Sequence, residues 1–269
     1  MKQLHLLALL LLLSAFRAAA QSPLANTAFK SGETLTYDLY FNWKFVWLKV
    51  GSASMNVTET RFRGQQAYRA YLQTRGSKQA DRYFVMRDTL TAYTTTDLVP
   101  LYYKKGATEG KRRYRDEVFY TYDGGRCNLR MRHERSDREP RESRHSSREC
   151  AYDMISMLLR ARSFDASAYR TGQQIPFLMA DGKKCERQKL VYRGKKNFKI
   201  KQSGLTYRCL VFSFVENEDG KEEEIVTFYI TDDRNHLPVR LDMNLSFGTA
   251  KAYLTGASGL RNPQTSVVK

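Results

Sequence analysis

The side chains with the greatest chemical capacity in this chain are four cysteines, Cys127, Cys150, Cys185 and Cys209. In an exported protein an even count reads as two disulfides, and four cysteines allow three connectivities. Nearest-neighbour pairing, Cys127 with Cys150 and Cys185 with Cys209, closes two loops of similar size. Each bridge would contribute on the order of 3 kcal/mol in the chain-entropy model. Thiols held in disulfides serve neither as nucleophiles nor as zinc ligands. Beyond the first twenty residues only His133, His145 and His236 remain as imidazoles, too few and too scattered for a metal site. Neither a metal nor a cofactor is expected. A serine hydrolase needs a nucleophile elbow of the Gly-x-Ser-x-Gly type, and Gly256-Ala257-Ser258-Gly259 has the wrong spacing. The adjacent carboxylates Asp232 and Asp233 sit in a turn, where sequence neighbours point apart and make a poor acid/base pair. A non-enzymatic function is therefore expected, with an envelope hydrolase using an unrecognised carboxylate site as the alternative.

Two stretches have the residue types for binding. Between Lys183 and Lys201 nine cations occur with Glu186 as the sole acid. Alternation of Phe198 and Ile200 with Lys199 and Lys201 puts those lysines on one outer face. Lys184, Arg187, Lys189, Lys199 and Lys201 are the candidate anion-binding residues, against a reading as solvated lysines that guard a sheet edge. Tyr40, Trp43, Phe45 and Trp47 are the candidate ligand-binding residues, one phase of an aromatic strand that could line a concave sheet. The competing reading of that run is core.

The location of these groups decides their partners. Met1-Lys2, the apolar run Leu4 to Phe16 and the small residues Ala18-Ala19-Ala20 form the pattern of a signal peptide cleaved near Ala20-Gln21. Cleavage would leave a soluble periplasmic or secreted protein. The formal net charge is +17, of which the leader carries only Lys2 and Arg17. Export turns that charge away from nucleic acid and towards an anionic envelope lipid or glycan, or another envelope protein. No later apolar run approaches the ~20 residues of a membrane helix.

The elements that must carry these residues are mainly strands. Thr34–Tyr40 alternates, Phe41–Val50 is apolar on both phases, and Ser52–Thr58 alternates again. Val118–Tyr122, the turn Asp123-Gly124-Gly125 and Cys127–Met131 read as a hairpin. Residues 132–148 are almost wholly Arg, Glu, Asp, Ser and His, and read as a long exposed Arg-rich loop or hairpin tip. A helix over 151–163 follows from the spacing of Met154, Ile155, Leu158 and Leu159. The expected organisation is an N-terminal β lobe over 21–150, that separating helix, a C-terminal β lobe over 164–257, and a flexible tail over 258–269. Curved antiparallel sheets would form two lobes or one large sandwich or half-barrel.

The order of these elements resembles a family of exported bacterial proteins known as domain of unknown function 3108. The pieces that carry it are Phe29-x-x-Gly32-Glu33-x-Leu35-x-Tyr37 with Gly51 downstream, and Tyr152-Asp153-x-x-Ser156. Ile230-Thr231-Asp232-Asp233, Leu237-Pro238-Val239, and Gly248 before Ala252-Tyr253-Leu254 complete it. The resemblance implies an antiparallel β-rich envelope protein with the YmcC-like fold and no established catalytic mechanism. Physically these pieces read as architecture: a turn into the first strand and a hairpin connection leading to a strand that starts at proline. The favoured function is a periplasmic binding or envelope-assembly protein for an anionic, acylated or glycan-containing partner. A structural adaptor that binds another envelope protein through the Arg-rich loop is the further alternative.

Overall fold

The computed structural model describes residues 21–268, apart from 44–45, 84, 202, 219–220 and 246–247. The expected leader, 1–20, thus lies outside the described residues. The strands of the first half are β1 (Glu33–Trp43), β2 (Val46–Phe62), β3 (Gln65–Gly76), β4 (Met86–Thr95), β5 (Pro100–Glu109), β6 (Arg112–Asp123), β7 (Arg126–Arg135) and β8 (Arg138–Ser147). After β9 (Ala151–Tyr152) comes one helix, α1 (Met154–Ala161). The second half holds β10 (Gln174–Ala180), β11 (Cys185–Lys199), β12 (Thr206–Glu218), β13 (Lys221–Thr231), β14 (Pro238–Leu245), β15 (Gly248–Ser258) and β16 (Val267–Val268).

All strands belong to one sheet. Two meanders, β1 to β8 and β10 to β15, are joined where β1 pairs β15 antiparallel, and β16 pairs β12. Two separate lobes are therefore not what the chain builds. The sheet coils instead into a nearly closed, barrel-like roll. Phe198 of β11 stacks on Tyr253 of β15 with ring centroids 6.2 Å apart, although four strand spacings on a flat sheet would separate them by about 19 Å. At the seam, the β10–β11 turn tucks against β6 and β8. A Cβ on Gly182 would sit 2.7 Å from the Asp116 Cβ, and the Ser143 hydroxyl donates to the Lys183 carbonyl at 3.2 Å.

Alternating apolar residues fill the roll. One cluster joins Met55, Tyr68, Leu90, Val118 and Leu129 to Ile155 and Leu159 of α1 and to Leu178 of β10. The helix thus plugs the interior. It begins one turn later than periodicity alone indicates, because Ala151 and Tyr152 pair with β10. Asp153 is its N-cap, accepting from the Ile155 and Ser156 amides at 3.1 and 2.8 Å and from the Ser156 and Tyr120 hydroxyls at 2.6 and 3.3 Å. Such a cap satisfies amides that the first helical turn leaves orphaned.

Burial pushes the Asp153 carboxyl up from 3.8 to about 6, although its hydrogen bonds favour the charged form. The folded chain then holds a proton that the unfolded chain has lost. This contribution to stability is full below about pH 4 and is lost as pH rises through about 6. Asp153→Asn keeps an accepting oxygen and is expected to flatten the fall in stability between those pH values. Urea unfolding of both proteins across that window checks it; parallel curves would refute the assignment.

The first of the family-like pieces, Phe29 to Tyr37, meets the segment after α1 in a buried ion pair. Arg162, just past α1, donates to Glu33 of β1 at 2.6 and 2.9 Å, and both side chains are 1% exposed. The same guanidinium donates to the Asn235 carbonyl at 3.2 and 3.0 Å and lies 5.4 Å from the Phe29 ring centroid. Asn235 in turn bonds the Asn262 and Pro263 carbonyls. The segment after Ser258 is consequently no loose tail. Arg261 donates to the Asn26 carbonyl at 2.7 Å, Ser266 is buried, and β16 adds to the sheet.

The charged stretch 132–148 is also more ordered than its composition indicates. It continues β7, turns at Ser136-Asp137 and returns as β8, paired from Cys127–Ser147 to Arg135–Arg138 with a register shift between His133 and Arg135. A strand at the sheet edge needs little core, and a row of arginines discourages pairing with another chain. Gly51 has an equally plain reason. A side chain there would place its Cβ 2.3 Å from the Arg75 carbonyl oxygen, so the β2–β3 ladder admits only hydrogen at this position.

Candidate functional site

The two ends of the roll differ. One is capped by the chain termini, the 162–173 segment and the β13–β14 connection around the Arg162–Glu33 pair. The other is a crown of hairpin turns: β1–β2, β3–β4, β5–β6, β7–β8, β12–β13 and β14–β15. Most of the large apolar side chains exposed among the described residues collect on that crown. Val46, Trp47 (37% exposed) and Leu48 follow the β1–β2 turn, Tyr83 (92%) lies in the β3–β4 link, and Leu245 ends β14. These turns are contiguous, because β14, β15, β1, β2, β3 and β4 are successive neighbours in the sheet. Exposed cations stand beside them: Lys49, Lys78, Arg82, Lys111, Arg112 and Arg113. Lys49 pairs with Asp38 at 2.7 Å, and the Lys251 ammonium lies 4.0 Å from the centroid of the Trp47 ring.

Of the four aromatic candidates, Tyr40 and Trp47 lie on the same face, since Tyr40 pairs with Lys49 in the ladder. Tyr40 is half-buried, edge-on to Tyr253 at 5.6 Å. The Trp43 side chain and all of Phe45 lie outside the described residues. The run is not one strand covered on both faces but two paired strands, β1 ending at Trp43 and β2 starting at its partner Val46. Its apolar character on both phases reflects a protruding tip rather than a central strand.

The five cationic candidates do not form one surface. Lys184 pairs with Glu186 at 2.7 Å, Arg187 forks onto Glu149 at 2.8 and 2.9 Å, and Lys189 pairs with Glu222. Lys199 ends β11 and Lys201 lies just past it, about 33 Å or more from the other three at the strand rise of ~3.3 Å per residue. Linear sequence shows one strand's charges; the neutralising acids arrive from the β8–β9 link and from β13.

The cysteines separate in the same way. Cys209 stands opposite Lys196 of β11, eleven positions from Cys185, or about 36 Å along the strand. That pairing is excluded by the register. Cys127 and Cys150, in contrast, are brought together, Cys127 as the cross-strand partner of Tyr122 and Cys150 as its neighbour. Both lie beside Tyr122, whose hydroxyl donates to the Pro100 carbonyl at 2.8 Å and sits 3.8 Å from the Cys150 sulfur. All four cysteines are free thiols here. Cys150 opens on a 390 Å³ pocket with Arg148, Tyr152, Arg160, Phe164 and Phe177 in its wall. Among the described residues no cluster of His, Cys, Asp and Glu is arranged to hold a metal ion. Asp232 and Asp233 do diverge: Asp232 accepts from Lys195 and Arg208, and Asp233 accepts from Thr231, Asn235 and Ser266.

A further surface was hidden from sequence reasoning. Phe62, Tyr93, Tyr102 and Phe119, from four strands, stack in a row with centroids 4.4–6.2 Å apart. Arg63 lies over Phe62 and Arg130 over Phe119 at 5.1 and 4.0 Å. Arg63, Phe119, Asn128, Arg130 and Arg144 line a 330 Å³ hollow at the capped end. Only the register assembles this row, so no local spacing announces it.

A solved structure from Brucella abortus, a beta-barrel-like protein of domain of unknown function DUF1849, superposes with a TM-score of 0.55 at 11% identity. The match covers 86% of this chain and 99% of that one, and it supports the barrel-like fold alone. A protein with a YmcC-like fold from Bacteroides fragilis aligns with a TM-score of 0.34 at 8% identity, over 88% of this chain and 99% of that one. No curated protein matches the chain. The model of the family described as "Protein of unknown function (DUF3108)" matches residues 36–255. That span takes in β2 to β14 and most of β1 and β15, and on it the chain belongs to the DUF3108 family.

Proposed function

We propose that the protein is a non-enzymatic envelope protein that docks on an anionic lipid surface through its crown of hairpins. One observation carries this reading: Val46, Trp47, Leu48, Tyr83 and Leu245 are exposed together at one end, among cations. Apolar tips flanked by lysine and arginine match the headgroup boundary, where aromatic rings and cationic side chains are favoured. The interior is occupied by Ile155, Leu159 and Leu178, so lipid contact is assigned to the outside of the roll. Among the described residues no helix is long and apolar enough to cross a membrane. Export through the N-terminal leader belongs to the same proposal.

Vesicles of phosphatidylglycerol mixed with phosphatidylethanolamine are expected to sediment the protein, and phosphatidylcholine vesicles are not. Binding should weaken with salt, because counterions screen the cationic rim. Both tryptophans of the chain, Trp43 and Trp47, lie in the β1–β2 hairpin, so their emission should shift to the blue on docking. The double substitution Trp47→Ser/Leu48→Ser is expected to weaken binding at least about tenfold, since each buried side chain contributes roughly 1.5–3 kcal/mol. Unchanged binding by that folded variant would overturn the proposal.

A further inference from the structure

We infer that Cys127 and Cys150 form an exchange-active dithiol, in which Cys150 reacts with a small anionic disulfide seated in the adjoining pocket and Cys127 resolves the mixed disulfide. The geometry separates the two roles. Cys127 is fully buried on β7, next to Tyr122 and Leu129, with no route to solvent. Cys150 is 8% exposed, and the exposed part faces the 390 Å³ pocket. An incoming reagent therefore meets the Cys150 sulfur alone, with Cys127, the cross-strand partner of the Tyr122 that Cys150 touches, behind it.

The pocket wall states the kind of reagent. Phe164 and Phe177 supply apolar surface, while Arg148 and Arg160 supply positive charge. Arg160 also donates to Ser22, and Glu149, itself in the wall, is held by Arg187, so the carboxylate that an anion meets there is already paired. Two thiols gathered on Tyr122 give exchange its direction. The Cys150 thiolate attacks one sulfur of the disulfide R–S–S–R, an S–S bond to Cys150 forms, and R–S⁻ leaves and takes up a proton. Cys127, losing its proton, then attacks the Cys150 sulfur and expels the second R–S⁻. The protein loses two hydrogens and two electrons, and R–S–S–R becomes two R–SH. The electrostatics agree with these roles: the Cys127 hydrogen bond outweighs burial and lowers the Cys150 thiol to about 7, while Cys127 is raised. A lowered thiol pKa is the condition for thiolate chemistry near neutrality.

Oxidised glutathione is the probe, with intact-mass and thiol counting as readouts. The native protein is expected to lose two thiols without retaining an adduct. Cys127→Ser should trap one glutathione on Cys150, located by peptide mapping, and Cys150→Ser should leave Cys127 unmodified. Reduced glutathione should reopen the bond in the folded protein. A bond that resists it until denaturant is added would mark a purely structural bridge and overturn the inference. So would an adduct on Cys185 or Cys209 in place of Cys150. Vesicle binding engages the opposite end of the roll, so its outcome is independent of this test.

Discussion

Replacing Arg162 by alanine is expected to lower the stability of the fold by about 3–5 kcal/mol, the range found when one partner of a buried ion pair is removed. Glu33 would be left at 1% exposure without its cationic partner, and the Asn235 carbonyl would lose both of its donated bonds. Arg162→Lys should rescue little, because an ammonium cannot fork onto both Glu33 oxygens while also reaching Asn235. The double substitution Glu33→Leu/Arg162→Met removes both charges and should cost less than Arg162→Ala alone. Urea unfolding followed by circular dichroism measures all three. A loss below about 1 kcal/mol for Arg162→Ala would show that the pair does not anchor the capped end. Hydrogen exchange should locate the damage at 232–237 and 259–266, which hang on Asn235.

Leu159→Ala is expected to cost about 2–5 kcal/mol, the range for truncating a buried leucine whose surroundings relax only in part. Leu159 is fully buried against Phe29, Leu90 and Leu98 in the cluster that α1 completes. The control lies on the same helix: Met154 is exposed, and Met154→Ala should stay within about 0.5 kcal/mol. Equal losses for the two would mean that the helix rests on the roll without plugging it.

The sequence made the strands legible because alternation is a local signal. The Val118–Met131 hairpin stands where Asp123-Gly124-Gly125 places it, with both glycines at positive φ. Asp153 and the Gly32-Glu33 turn were visible as local chemistry as well, though the partner of Glu33 was not. Arg162 lies 129 positions away, and nothing near it in the chain marks it as different from the other arginines. The same limit explains the basic segment, whose neutralising acids Glu149 and Glu222 come from other strands. It explains the cysteines too: Cys127 and Cys150 meet because a hairpin and its return lie between them, while Cys185 and Cys209 belong to distant parts of long strands. The crown was half legible. Tyr40 and Trp47 stand out in the sequence, but the exposure of Trp47 depends on where β1 ends and β2 begins, which composition does not fix.

The pairing of β1 with β15 also sets the order in which the molecule can assemble. β1 is among the first residues of the folded chain and β15 among the last, so one edge of β1 waits unpaired until nearly the whole polypeptide is present. Closing so long a loop is entropically slow, and high contact order predicts folding on the slow side for a protein of this size. Until that seam forms, the half-roll from β1 to β8 offers a bare strand edge to any other unfinished chain, which makes it the stage most open to aggregation. The Arg162–Glu33 contact closes a shorter span, 129 residues, and can form once the helix is present. It becomes a late latch only when the β13–β14 connection brings the Asn235 carbonyl onto the same guanidinium.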